Sequence, residues 1–294
     1  MDVPAGHVVV KPTCVGLFSP DALVDAAHAG NACVGVVEQG ELAGKRVVVA
    51  GVWSCGACER CKGGMSSHCI KRRVAGWDGT PGALAASSLQ VPSGAWAEVP
   101  ASLRDEHAVF AGAFASVLAI ASMVRVDRKP FVTVLGDGVM GLLIAQQLAR
   151  LSTTVRLLGH HPQRFGLCEK WGIKHRDASE AGLRHDQDVV IDCTGKPAGL
   201  AMASKLVRPR GRVIVKTSPV ASTSFDVPIA TLLANEVELT SVTAGSLASA
   251  VAGLATSRID LEPMLTMRGK PSDSARLIDA IKRRTALCAI VTLA

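Results

Sequence analysis

A glycine pattern between an apolar strand and an apolar helix constrains the fold of this chain more than any other feature. Val132–Leu135 runs directly into the hexapeptide Gly136-Asp137-Gly138-Val139-Met140-Gly141, and a helical pattern follows. In a G-x-G-x-x-G turn, the first glycine permits the tight bend and the second lets a pyrophosphate approach the backbone. The third lets the helix pack closely on the strand, and the phosphates lie at the helix N-terminus. The pattern predicts dinucleotide binding at the hexapeptide; a glycine-rich turn kept only for packing is the alternative.

The residues around this turn alternate between strand and helix patterns. Apolar strands are predicted at Phe131–Leu135, Thr154–Leu158, Asp188–Asp192 and Arg212–Lys216. Helices are predicted between them at Gly141–Arg150, Gln163–Trp171 and Ala198–Leu206. Repeated βα units with wholly apolar strands predict a parallel sheet covered by helices on both faces.

The two ends of the chain do not show this alternation of strand and helix patterns. Short β-branched runs bounded by glycine and proline predict strands in the first third, at His7–Lys11, Gly35–Glu38 and Arg46–Ala50. The last residues predict a helix at Ser274–Arg284 and a strand at Ala289–Leu293, which we expect to return to the first domain.

The end of the second predicted strand bears on the choice of cofactor. A site for NAD places an acidic side chain there to bind the ribose hydroxyls, but this chain has Gly159, then His160 and His161, with Arg164 shortly after. Gly159 leaves room, and His160 and Arg164 are candidates to face a 2′-phosphate. The pattern favours NADP over NAD; the alternative is that both histidines are solvated loop residues.

Four of the nine cysteines lie close together, at Cys55, Cys58, Cys61 and Cys69. Thiolates at this spacing can close a tetrahedron around zinc with no open position, which predicts a structural metal site. The chain has no charged segment followed by an apolar one at its start, so we expect a cytoplasmic protein in which a disulfide framework does not form.

Composition excludes several classes of function. Aromatic residues make up 3% of the chain and tyrosine is absent, which argues against base stacking on nucleic acid and rules out a tyrosine as catalytic acid. The uncharged run Ala108–Val124 is shorter than the roughly 20 residues of a bilayer span, so we expect a buried helix there. The net charge of +7 favours a phosphate-bearing ligand or an acidic protein partner.

A four-cysteine lobe ahead of a dinucleotide fold resembles the medium-chain, zinc-dependent alcohol dehydrogenase superfamily, in particular its alcohol dehydrogenase-like and threonine dehydrogenase-like members. Besides the lobe, the resemblance is carried by Val8–Pro12, Val15–Leu17, Val34–Glu38, Gly94–Glu98, Val134–Gly138, Asp192–Gly195 and Leu206–Gly211. It implies a GroES-like β-barrel domain at 1–125 with the zinc lobe at 53–70, a doubly wound Rossmann domain at 126–261, and a return to the first domain at 262–294. It also implies that Thr194 contacts the cofactor, and that the protein forms a homodimer.

The same resemblance shows what this chain lacks. The positions of the three catalytic zinc ligands correspond to Phe18, Asn31 and Gly112. None of these can replace a Lewis acid that polarises a carbonyl. A substitute metal site from Cys14, His28 and Cys33 is a weaker alternative, because free cysteines in strands are usually packing residues.

Two functions follow as hypotheses. The first is an NADP(H)-dependent oxidoreductase that transfers hydride to a carbonyl or alkene without catalytic zinc; the weak candidates for its proton donor or anchor are Ser19, Asp21, His28 and Asn31. The second is a non-catalytic member of the family that acts as a binding or assembly subunit. An ordinary zinc alcohol dehydrogenase with displaced ligands ranks last.

Overall fold

The chain folds into two compact units, one formed by Met1–Ala115 with Ser246–Ala294 and the other by Ser116–Gly245. The computed structural model describes residues 7–78, 80–151, 154–216, 227–243 and 245–293. The units change at residues 115/116 and 245/246, whereas the sequence places domain limits at 125/126 and 261/262. The first change lies inside a continuous helix, Ala111–Met123, where the sequence carries no boundary signal.

The strands of the described ranges follow one another along the chain as β1 (Val8–Leu17), β2 (Ala32–Val37), β3 (Arg46–Val49), β4 (Val52–Trp53), β5 (Arg73–Val74), β6 (Leu89–Val91), β7 (Trp96–Glu98), β8 (Phe131–Leu135), β9 (Thr154–Gly159), β10 (Lys174–Asp177), β11 (Gln187–Asp192), β12 (Val207–Val215), β13 (Glu238–Ser241), β14 (Leu265–Gly269) and β15 (Cys288–Thr292).

The α-helices follow the same order. They are α1 (Glu59–Lys62), α2 (Asp105–Ala108), α3 (Ala111–Met123), α4 (Val139–Arg150), α5 (Pro162–Lys170), α6 (Pro197–Leu206), α7 (Ile229–Ala234), α8 (Leu247–Thr256) and α9 (Ser274–Lys282). Within the described ranges, none of these helices has both the length and the apolar character needed to cross a bilayer.

The first unit contains a largely antiparallel sheet in the order β14-β15-β1-β2-β3-β7, with β6 also paired to β1. Its β-branched strand residues are buried against one another, among them Val10, Val15, Val47, Val91 and Val291. Strand β15 pairs with β1, with Cys14 opposite Thr292, so the C-terminal segment completes the first sheet.

The second unit contains a six-stranded parallel sheet in the order β10-β9-β8-β11-β12-β13. The chain starts in the middle at β8, runs to one edge, and returns to the other side through β11. This is the doubly wound order, and the point between β8 and β11 where the direction reverses is where such sheets bind ligands. The central strands are apolar and buried, as at Val134, Leu135 and Val190, which confirms the predicted fold class.

The buried carboxylate of Asp21 connects a short turn after β1 to the segment that precedes β2. Asp21 lies in a 3-10 turn, Ser19–Leu23, and is only 2% exposed. Its Oδ2 accepts the backbone N–H of Phe18 at 2.7 Å, and its Oδ1 accepts those of Gly30 at 2.8 Å and Asn31 at 3.4 Å. Burial raises the pKa of this carboxyl, and the bonds from backbone N–H groups oppose that rise. Asp21 therefore ties the turn to the segment that enters β2.

We expect Asp21→Ala to destabilise the protein by about 2 kcal/mol or more, because buried N–H groups lose their acceptor. Asp25→Ala is the matched control, since the Asp25 side chain is 68% exposed and its partner His28 is exposed as well. That control is expected to change the unfolding free energy by no more than about 0.5 kcal/mol. Urea unfolding followed by circular dichroism measures both, and equal stability of the two variants would contradict the role given to Asp21.

Candidate functional site

The glycine-rich turn joins β8 to α4 at the carboxyl edge of the parallel sheet. Gly136 has a φ of +101°, a left-handed conformation that suits glycine, and its N–H donates to the Leu158 carbonyl at 2.8 Å. A Cβ at Gly141 would lie 1.8 Å from the Gly136 carbonyl oxygen, so no larger residue fits there. These two glycines let the helix start directly against the strand end.

Gly138 leaves the mouth of the turn open. It is the N-cap of α4, no side chain caps the helix there, and a Cβ at this position would have no neighbour within 4 Å. The first N–H groups of the helix, at Val139, Met140 and Gly141, therefore have no side-chain cap, and helix N-termini bind phosphate. The turn fits a dinucleotide pyrophosphate, with the backbone itself as the ligand.

The loop after β9 lies against the same turn. The Asp137 carboxylate is buried, and its Oδ2 accepts the backbone N–H of His160 at 3.0 Å and of His161 at 2.8 Å. A Cβ at Gly159 would lie 2.3 Å from that oxygen. Asp137 thus reaches from the glycine-rich turn into the position next to the end of β9.

The two residues of this loop that are predicted to face a 2′-phosphate, His160 and Arg164, differ in their placement. The His160 side chain is 69% exposed, with its Nδ1 3.5 Å from Asp177. The Arg164 side chain is 9% exposed, and one of its terminal nitrogens lies 3.4 Å from Asp137 Oδ1. His160 is therefore at the surface of the loop, while Arg164 is engaged with Asp137.

The end of β11 lies beside the glycine-rich turn, since a Cβ at Gly136 would lie 3.3 Å from the Cys193 carbonyl carbon. Thr194 donates to Asp192 Oδ1 from its N–H at 2.9 Å and from its Oγ1 at 2.7 Å. Asp192 is fully buried, its Oδ2 has no hydrogen-bond partner among the described residues, and burial raises the pKa of its carboxyl. Thr194 is thus placed at the carboxyl edge, with its hydroxyl turned toward Asp192.

Lys216 follows β12 at the same edge. Its Nζ donates to the carbonyls of Val242 at 3.2 Å and Thr243 at 3.0 Å, and burial lowers its pKa. Sequence reasoning assigned no role to Asp137 or Lys216. An acid inside the glycine-rich turn, 22 residues before a glycine that ends the next strand, is the signal that could have identified Asp137.

The four cysteines of the lobe come together as the spacing predicts. Their sulfur atoms all lie within 4.8 Å of one another, with 3.5 Å between Cys58 and Cys61 and 3.9 Å between Cys58 and Cys69. The N–H groups of Cys55 and Lys71 each point to the Cys69 sulfur at 3.3 Å. Four thiols that converge with backbone N–H support fit a tetrahedral zinc ion and leave no position for a substrate.

The positions that correspond to catalytic zinc ligands do not form a donor set. Phe18 packs edge-on against Phe110, with ring centroids 5.2 Å apart, and a Cβ at Gly112 would meet nothing within 4 Å. Across the described ranges, the cysteine lobe is the one group of three or more His, Cys, Asp or Glu side chains whose ligand atoms converge. Phe18, Asn31 and Gly112 therefore do not fit a catalytic zinc ion.

The remaining candidate residues differ in their exposure to solvent. Ser19 is exposed, and Asn31 is half-buried. His28 is exposed and contacts Asp25 at 2.6 Å. Cys14 and Cys33, the other members of the alternative metal site, are buried thiols whose pKa burial raises to about 12. These two are neutral packing groups, and the structure does not bring them together with His28 as a metal cluster.

No family model matches the chain. Among curated proteins, it is 28% identical over 242 residues to the medium chain reductase/dehydrogenase ucsI of Acremonium sp., which covers 70% of this chain and 82% of that protein. It is 24% identical over 251 residues to a 2-dehydro-3-deoxy-L-galactonate 5-dehydrogenase from Pseudoalteromonas atlantica, over 79% of this chain and 71% of that protein. Both relatives are dehydrogenases or reductases by name.

Solved structures share the fold over nearly the whole chain. A Sinorhizobium meliloti protein described as a zinc-binding dehydrogenase and bound to NADP has a TM-score of 0.84 at 22% identity, over 99% of this chain and 94% of its own. The rspB alcohol dehydrogenase of Escherichia coli CFT073, complexed with NADH, has a TM-score of 0.85 at 21% identity, over 99% and 93%. Sequence likeness and fold confirm the resemblance drawn from the motifs: the chain is similar in sequence to medium-chain reductase/dehydrogenases and shares its fold with solved dehydrogenases.

Proposed function

We propose that this protein is an NADP(H)-binding oxidoreductase that transfers hydride to a carbonyl or activated alkene without a catalytic zinc ion, and that it holds a structural zinc ion. The observation that carries the proposal is the open glycine-rich turn, with the uncapped N-terminus of α4 at the switch point of the parallel sheet. Ligands of doubly wound sheets bind at this point.

The choice of NADP over NAD is supported by the end of β9. An acidic residue that would accept the ribose hydroxyls is absent there, because Gly159 stands at the strand end. The exposed His160 side chain follows it and can donate a ring N–H to a 2′-phosphate. Of the neighbours in fold, one is bound to NADP and another to NADH, so the fold itself accommodates both.

In the proposed mechanism, the nicotinamide supplies the hydride when the cofactor is bound. The chain's own part at the glycine-rich turn is to bind the pyrophosphate through the N–H groups of Val139, Met140 and Gly141. Asp21 is not available as a proton donor, since its carboxylate is buried and accepts three backbone N–H groups. Of the four candidates, the groups with free access to solvent are Ser19 and His28.

The absence of a donor set at Phe18, Asn31 and Gly112 favours a second candidate, a binding or assembly subunit that retains nucleotide without turnover. One measurement, the consumption of NADPH, distinguishes the two candidate functions. Consumption of NADPH in the presence of aldehydes, ketones and activated alkenes supports the oxidoreductase. Nucleotide binding with no consumption across all three classes supports the non-catalytic subunit.

We place the protein in the cytoplasm, because four thiols can serve as zinc ligands only where they are kept reduced. An acidic protein partner stays a prediction from the net charge of +7. The homodimer is supported by the second sheet, where β13 pairs on one side only among the described residues. Leu239 on β13 and Leu233 on α7 are 42% and 70% exposed, as expected for a surface that a second copy covers.

For cofactor binding, we expect NADPH to bind with micromolar affinity and NADH more weakly, and Gly138→Val to weaken NADPH binding at least ~10-fold. The valine side chain would lie between the pyrophosphate and the helix N–H groups. Position 138 has a φ of −78° and no neighbour within 4 Å, so the variant should fold normally. Titration of nicotinamide fluorescence measures the affinities.

Gly166→Val is the matched control for that experiment. Gly166 lies on the exposed face of α5 and also has open space at its Cβ. We expect wild-type affinity from this control. Undetectable NADPH and NADH binding by the wild type would overturn the proposed cofactor, and unchanged affinity in Gly138→Val would overturn the proposed binding mode.

For the metal, we expect one zinc ion per chain by elemental analysis of the purified protein. Cys69→Ser should lose the zinc and lower the melting temperature, because three thiolates no longer close the tetrahedron. Cys168→Ser is the control, a buried cysteine outside the lobe, and should retain one zinc ion per chain. Two zinc ions in the wild type would contradict the loss of the catalytic metal, and none would contradict the structural one.

For the assembly, we expect two chains per particle by light scattering, and Leu239→Lys should shift the particle toward a single chain by placing a charge on the edge strand. Leu183→Lys is the control, since Leu183 is similarly exposed at 48% but lies in the loop before β11. Dissociation by both variants, or by neither, would argue against an interface at β13.

A further inference from the structure

The Asp137 carboxylate has no free acceptor position. Oδ2 accepts the N–H groups of His160 and His161, and Oδ1 lies 2.8 Å from His161 Nδ1 and 3.4 Å from an Arg164 nitrogen. The side chain is only 5% exposed. A carboxylate bonded in this way is fixed in place and is not available to accept ribose hydroxyls.

Asp137 also decides which residue can stand at the end of β9. A Cβ at Gly159 would lie 2.3 Å from Asp137 Oδ2, 2.5 Å from its Cγ and 2.6 Å from its Cβ. Real Cβ atoms do not approach other atoms this closely, and the contact is with a side chain that its hydrogen bonds and its burial hold still. Any side chain at 159 therefore requires Asp137 to leave its position.

Charge adds to this steric exclusion. An acid at 159 is the group that a site for NAD uses to bind the ribose. A second carboxylate beside the buried Asp137 would place two like charges in contact, which strongly disfavours ionisation of both. The two side chains that contact Asp137, those of Arg164 and His161, lie against this one carboxylate only.

The same bonds join the two parts of the cofactor site. Asp137 belongs to the glycine-rich turn, while the N–H groups it accepts belong to the loop that carries the exposed His160. Because the loop backbone is bound to the turn, we expect a change at residue 137 to displace the His160 loop.

We propose that Asp137 is a positioning residue that determines cofactor specificity: it occupies the space of the ribose-binding acid, excludes any acid at position 159, and holds the His160 loop in place for a 2′-phosphate. This inference rests on the proposed function, since it assumes that the glycine-rich turn binds a dinucleotide. Residues 137 and 159 are then a coupled pair, and only one of them can carry a carboxylate.

The test is a double-mutant cycle on the protein without cofactor. Gly159→Ala should lower the melting temperature clearly, and Asp137→Ala, Gly159→Ala together should be more stable than Gly159→Ala alone, because the blocking side chain is gone. Gly166→Ala again serves as the control and should not lower the melting temperature. A Gly159→Ala variant as stable as the wild type overturns the exclusion, whatever the protein binds.

The second half of the test measures affinity. Asp137→Ala should weaken NADPH binding about 10-fold and NADH binding less, because the His160 loop loses its anchor. Asp137→Ala, Gly159→Asp together should fold and prefer NADH, reversing the wild-type ratio of the two dissociation constants. Gly159→Asp alone should bind neither well and melt lower than the double variant.

The outcomes separate the two proposals. The melting temperatures can show that residues 137 and 159 are strongly coupled while the wild type binds no nucleotide. That result overturns the proposed function and, with it, the specificity role. Nucleotide binding with an unchanged NADPH to NADH ratio in the double variant overturns the specificity role alone. A loss confined to NADH in Asp137→Asn also overturns it, since Asp137 would then itself accept the ribose hydroxyls.

Discussion

The close approach of α4 to the end of β8 is the constraint on which the candidate site depends. Only glycine fits at position 141, where a Cβ would lie 1.8 Å from the Gly136 carbonyl oxygen. That approach brings the helix N-terminus to the switch point of the sheet. The space beside Gly138, the N-cap of the helix, is empty of protein atoms within 4 Å of a Cβ position. The phosphate binding that we propose for this site thus depends on backbone geometry, and the side chains around it need only leave the N–H groups uncovered.

From this turn, the arrangement extends to the second strand through one carboxylate. Leu135 of β8 is opposite Leu158 of β9, so the residues that follow each strand meet at the carboxyl edge. The Asp137 side chain fills the space beside Gly159, and it accepts hydrogen bonds from the backbone N–H groups of the loop that follows β9. A buried carboxylate is stable only when donors surround it, and here backbone N–H groups, a histidine and an arginine do so. The loop conformation is therefore a consequence of satisfying Asp137.

The sequence was sufficient for the elements that are apolar and continuous. Strands β8, β9, β11 and the helices α4 and α6 are buried runs whose periodicity is plain, and the cysteine spacing is a local pattern. By contrast, β10 and β13 were missed, because they lie at the edges of the sheet and carry polar residues such as Lys174 and Glu238. The Asp137 contact was missed because it depends on strand register, which brings together residues 22 positions apart.

In the first unit, the segment around Asp21 is held by backbone hydrogen bonds and apolar packing. Asp21 is a weak candidate for proton donor or anchor by sequence, yet its oxygens accept the backbone N–H groups of Phe18, Gly30 and Asn31. Every residue except proline carries an N–H group, so these bonds form whatever side chains stand at 18 and 31. The packing of Phe18 on Phe110 then stabilises the same segment by apolar contact. The backbone bonds to Asp21 and the ring contact of Phe18 therefore hold this segment without using any side chain at 18 or 31 as a metal ligand.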